Sequence, residues 1–155
     1  MFAKKLLLIV VTLLLAVSTV QAQTPPLNVV ATFSILGDVV QNVGGEHIAL
    51  TVLVGPDGDT HSYEPVPQDT VTLSQSAVLF ENGLGFEAWL DDLYTAAGST
   101  AQRVVVSEGI TPGTISVGDE TGETDPHIWQ NMYHYVRVVE VVRDTLAALD
   151  PANAV

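Results

Sequence analysis

Leu27-Asn28-Val29-Val30-Ala31-Thr32-Phe33-Ser34-Ile35-Leu36-Gly37-Asp38-Val39-Val40-Gln41-Asn42-Val43-Gly44-Gly45 changes period half-way along. Residues 27–33 form a short, nearly continuous apolar run rich in branched side chains, the pattern of a strand buried on both faces. From Ser34 the apolar residues Ile35, Leu36, Val39, Val40 and Val43 recur at helical spacing. Ser34 is suited to cap that helix, and Gly44-Gly45 to end it. A buried strand running straight into a helix is the opening of a βαβ unit.

The same alternation continues downstream. Residues 47–54 read as a second strand, 55–66 as a loop of turn formers, and 67–74 as a short helix opened by Pro67. Residues 77–80 read as a third strand. A helix ending at Gly98 then carries Phe86, Trp89, Leu90, Leu93, Tyr94 and Ala97 on one face. Residues 102–107 give a fourth strand and 108–126 a long acidic loop. A last helix over 131–149 has Met132, Tyr135, Val136, Val139, Val142 and Leu146 as its expected core face. Strand and helix alternating with crossover-length connections predict an α/β fold, a parallel four-stranded sheet flanked by helices on both faces.

Upstream of this pattern, Lys4-Lys5 precede an apolar run from Leu6 to Val17, and Val20-Gln21-Ala22 supplies small residues for peptidase cleavage. Residues 1–22 therefore read as a secretory signal peptide, with 23–155 as the mature domain. The run is short for a membrane-spanning helix of about 20 residues. Cysteine is absent, so no disulfide framework and no lipid-anchor cysteine is expected. A soluble protein in the periplasm or outside the cell follows, and a monomer is expected.

After residue 22 only Arg103, Arg137 and Arg143 stand against all 18 acidic side chains. Nucleic acid is excluded as a partner, because phosphate binding requires clustered Lys and Arg. The acidic surface suits either a cation-binding role or plain solubility.

Two segments carry chemistry. Asp59-Thr60-His61-Ser62-Tyr63-Glu64-Pro65 follows the second strand, and Asp125-Pro126-His127-Ile128-Trp129 follows the fourth. A neutral imidazole is the commonest protein ligand for a divalent metal. Ligands of parallel sheets gather at the carboxyl ends of the strands, so topology brings His61 and His127 to one rim. By spacing alone the pair suits a metal site, or turns in which Asp57, Asp59 and Asp125 serve the local backbone. His47, opening a strand, reads as a surface residue, and His134, inside the last helix, as a packing residue.

Gly83-Leu84-Gly85-Phe86-Glu87-Ala88, with Glu108 further on, satisfies a loose dinucleotide fingerprint. It stands on the third strand rather than the first, and Asn82-Gly83 is better read as a tight turn. H-E-x-x-H, G-x-S-x-G and cysteine-nucleophile signatures are absent. A hydrolase using the same two histidines is the enzymatic alternative, although no glutamate stands at helical offset from either as a base.

Four stretches together resemble the amino-terminal lobe of the ABC-transporter metal-binding receptors for zinc or manganese. They are residues 30–38 (Val-Ala-Thr-Phe-Ser-Ile-Leu-Gly-Asp), 53–65 with His61, 82–90 (Asn-Gly-Leu-Gly-Phe-Glu-Ala-Trp-Leu) and 125–129 with His127. The resemblance implies one lobe of a two-lobed receptor fold, a non-enzyme that captures metal in the cleft between lobes and delivers it to an ABC permease in the inner membrane. It places the family's two amino-lobe ligands on His61 and His127, with the other ligands in a carboxyl-terminal lobe. This chain is therefore expected to be a truncated fragment or split gene product. The acidic, histidine-free loop over 113–124 leaves zinc and manganese level, since imidazole suits zinc and carboxylates suit manganese.

Overall fold

The computed structural model describes residues 25–116, 118 and 120–154. The signal-peptide reading of residues 1–22 lies outside them. Four strands, β1 (Leu27–Phe33), β2 (Ile48–Val54), β3 (Val78–Glu81) and β4 (Gln102–Val105), form one sheet in the order β2-β1-β3-β4. Every pairing is parallel, with Phe33 opposite Val54, Ala31 opposite Phe80 and Val78 opposite Gln102. The chain leaves β1 first to one side and then to the other, so the strand order reverses between β1 and β3. That switch point is where open α/β sheets hold ligands.

The helices are α1 (Ser34–Gly44), α2 (Pro67–Ser74), α3 (Leu90–Ala96) and α4 (Met132–Leu149). Side chains alternate across a strand, and both faces of this sheet are used. Val29, Ala31, Phe33, Val78 and Phe80 point to one face, where Leu36, Val39 and Val40 of α1 meet Val138, Val142 and Leu146 of α4. Val30 and Leu79 point to the other, against Leu73 of α2 and Leu90 and Leu93 of α3. Gly37 lets α1 lie close on β2, since a Cβ there would stand 2.5 Å from Val52 Cγ2.

The fold class is as the sequence implies, with four local corrections. Ser34 is the first helical residue rather than the cap; Phe33 holds the cap position without a side-chain bond. His47 belongs to a 3-10 turn, Gly45–His47, and β2 begins at Ile48. The helix after β3 is shorter than its apolar pattern, because residues 84–89 form turns and α3 starts at Leu90. The core face of α4 is rotated: Val138 is buried, whereas Met132 and Val136 are 73% and 53% exposed. Apolar residues occupy most sides of the first half of α4, so periodicity alone leaves its orientation to the sheet and α1.

Candidate metal centre

Three loops converge at the carboxyl end of the sheet. The first leaves β2 and carries His61. Asp59 accepts from the His61 backbone N–H (2.9 Å) and from the Ser62 hydroxyl (2.7 Å), a tight turn that presents the imidazole outward. The Ser62 hydroxyl, with the His61 N–H second, holds the Asp59 carboxyl below its ordinary range. Further along, the Tyr63 hydroxyl donates to Asp69 Oδ2 (2.8 Å), which also accepts the Val66 N–H (2.7 Å) at the start of α2. Burial, together with that carboxylate, pushes the Tyr63 phenol up to about 12.

The second loop leaves β4 and carries His127. Its acidic stretch is not structureless: Thr114 bridges Thr124 in antiparallel fashion, and the Asp125 N–H donates to the Gly113 carbonyl at 3.0 Å. Asp125 Oδ1 then accepts from the His127 backbone N–H (3.0 Å) and lies 2.7 Å from His127 Nδ1. The backbone N–H first and the ring second hold the Asp125 carboxyl below its ordinary range, so it is a carboxylate that can only accept. In the neutral ring this contact places the proton on Nδ1 and the lone pair on Nε2, as in metal-ligating histidines oriented by a carboxylate.

The imidazole centroids of His61 and His127 are 5.7 Å apart, with the rings inclined at 54°. Two imidazoles bound to one ion at about 2.0–2.1 Å in a tetrahedral arrangement place their centroids roughly 5 Å apart. The observed centroid separation is close to that value. Phe86 supports both rings edge to face, at 4.7 Å from His61 and 5.8 Å from His127. Trp129 packs against His127 (5.2 Å) and Phe86 (5.1 Å), closing an apolar floor beneath the pair.

The third loop, residues 82–89, lies between the other two. Glu87 is buried and accepts at Oε1 from the Thr32 hydroxyl (2.6 Å) and the Asn82 N–H (2.7 Å), and at Oε2 from the Gly83 N–H (3.0 Å). Burial outweighs these bonds and pushes its carboxyl above the ordinary range. The Asn82 and Gly83 amides are thereby taken up inside the turn rather than offered to a phosphate. Beside it, Arg103 forks onto Glu81 at 2.8 and 2.9 Å and reaches Asp91 at 2.7 Å, neutralising the acid at the end of β3.

His47 lies at the opposite end of the sheet, in a cavity of about 140 Å³ with Leu27, Ile48 and Arg143. His134 is half-buried on α4. Among the described residues no cluster of three or more His, Cys, Asp or Glu side chains comes together as a metal cage. Sequence reasoning passed over Phe86, Glu87 and Asn82 as parts of this centre. The available signal was an acid set within the otherwise apolar run Leu84–Leu90, a position whose burial demands partners.

Solved structures similar to this chain include periplasmic metal-binding proteins. A manganese-bound one from Candidatus Liberibacter asiaticus superposes with a TM-score of 0.72 at 31% identity, over 81% of this chain and 47% of that one. Residues 29–155 match the family described as zinc-uptake complex component A, periplasmic, and the chain belongs to that family. It is 38% identical over 128 residues to the manganese-binding lipoprotein MntA of Halalkalibacterium halodurans, covering 83% of this chain and 41% of the relative. It is 31% identical to the iron-binding protein YfeA of Yersinia pestis, covering 82% and 40%. The chain thus spans less than half the length of these relatives.

Proposed function

We propose that residues 23–155 are the amino-terminal lobe of an extracytoplasmic receptor that captures a divalent transition metal, zinc or manganese, for an ABC permease. The single observation that carries this reading is the His61–His127 pair, 5.7 Å apart at the switch-point rim, with His127 Nδ1 held by Asp125. In it, each imidazole contributes a neutral nitrogen lone pair, Asp125 keeps His127 in the binding tautomer, and the aromatic floor restrains both rings. Two neutral ligands leave most of the ion's charge and at least two coordination positions to other groups. A second lobe closing over the rim supplies them in this reading. The relatives are named as binding proteins, and among the described residues no carboxylate is poised beside both imidazoles to act as a base, so a hydrolase gains no support.

The relatives named as lipoproteins differ from this sequence, which contains no cysteine to carry a thioether-linked lipid. In our reading the chain is exported, cleaved before Gln23 and released as a soluble monomer. Amino-terminal sequencing of exported material is expected to begin at Gln23, and an intact Met1 on membrane-bound protein would contradict it.

Calorimetric titration of the purified chain against a competing chelator tests the reading itself. Zinc is expected to bind no more tightly than about 1 μM, or ~8 kcal/mol, because only two ligands are in hand. Since proton and metal compete for the same imidazole lone pairs, affinity should fall between about pH 7.5 and 5.5. Affinity unchanged across that range would point to carboxylates alone.

A further inference from the structure

Among the described residues, the two histidine loops are tied by polar contacts not to each other but to the segment between them. Asn82, 1% exposed, donates its side-chain amide to the Pro126 carbonyl (2.9 Å), one residue before His127, and to the Gly83 carbonyl (3.1 Å). Trp89 donates its indole N–H to the Thr60 carbonyl (2.8 Å), one residue before His61. The backbone joining these two anchors is unusual. Gly83, Leu84 and Gly85 have φ of 78°, 58° and 80°, and Leu84 is the only non-glycine residue at positive φ among the described residues. A bulky residue in this region is strained and persists only where its surroundings hold it there. The Glu87 carboxylate does so, by binding the N–H groups of Asn82 and Gly83 at the entrance to the turn.

We propose that Asn82 and Trp89 are positioning residues for metal capture, anchoring the His127 and His61 loops to one rigid turn and so setting the separation of the two imidazoles. The inference rests on the receptor reading and deepens it. Each anchor bonds a main-chain carbonyl adjacent to one candidate ligand, and Phe86, from the same turn, touches both rings. The distance between the ligands is thereby governed by residues 82–89 rather than by the flexibility of either loop. A fixed separation favours ions of one size. Loosening it should lower affinity and blunt discrimination.

The test compares Asn82→Ala and Trp89→Phe with the unaltered chain, titrated separately with zinc and with the larger cadmium ion. Trp89→Phe keeps an aromatic ring against Tyr63, now 5.0 Å from Trp89, and removes only the N–H donor. Asn28→Ala is the control, because Asn28 also donates an amide to a carbonyl, that of Gln75, but at the far end of the sheet. Loss of such supporting bonds typically lowers metal affinity about 10- to 100-fold. The expected result is a zinc affinity reduced by at least about tenfold in either variant, a smaller loss for cadmium, and no change in the control. General loosening of the fold would lower both ions alike and leave their ratio unmoved, which would overturn the positioning role. Zinc affinities within about twofold of the unaltered chain would overturn it as well. Should Asn82→Ala fail to fold, Trp89→Phe decides alone. An unaltered chain without zinc affinity would overturn the receptor reading and this inference together, an outcome distinct from failure of the variants alone.

Discussion

Glu87→Ala is expected to be the most destabilising single substitution at the carboxyl end of the sheet, costing roughly 4 kcal/mol. The change strands three donors at once, the Thr32 hydroxyl and the Asn82 and Gly83 amides, and Thr32 and Asn82 are almost wholly buried. Leaving a buried donor unpaired costs about 1–3 kcal/mol, and water entering the space recovers part of it. Urea unfolding followed by circular dichroism measures the loss as a lowered midpoint at constant slope. A cost below about 1 kcal/mol would show that the turn holds its left-handed conformation without the carboxylate. The acid also carries a pH signature. Its folded-state pKa is raised, mainly by burial, so its contribution is fully present below the unfolded value. That contribution is lost as pH rises through the folded value. Replacement should therefore flatten a decline in stability on the alkaline side of the ordinary glutamate range.

His61→Ala and His127→Ala are each expected to weaken zinc binding by roughly 100-fold, from about 1 μM to about 100 μM or beyond. With two protein ligands, removal of either leaves a single imidazole, which water outcompetes at ordinary concentrations. Neither substitution should unfold the chain, since His61 is exposed and the His127 side chain is 33% accessible. His47→Ala and His134→Ala should leave zinc affinity unchanged within about twofold, as independent sites do. A large loss in either would relocate the site, to the cavity near Arg143 or to α4.

Much of the architecture could be read from residue order. The span of β1 and the start of α1 follow from one change of period, and α2 from Pro67, because local pattern and final packing agree there. The convergence of the two histidine loops followed from topology, since loops after parallel strands leave from the same end. Their separation did not, because the ties that hold the loops run from Asn82 and Trp89 to residues 44 and 29 positions away. Glu87 escaped for a related reason. A carboxylate within an apolar run reads as a surface position until the hydroxyl of Thr32, 55 residues earlier, arrives to bond it. Periodicity does not fix the buried face of α4, because its many valines and tyrosines make several faces nearly equivalent. Long-range contacts decide such cases, and a single sequence does not display them.

In the proposed receptor one ion is held by both His61 and His127, through Nε2 in the case of His127. Nitrogen-15 NMR of the imidazole rings during zinc titration would reveal this ligation. Ring-nitrogen signals of two of the four histidines, His61 and His127, are expected to move with zinc, while His127 keeps the proton on Nδ1 facing Asp125. His47 and His134 should keep their metal-free shifts. Zinc-dependent shifts confined to His47 or His134, or loss of the Nδ1 proton from His127 on binding, would contradict it.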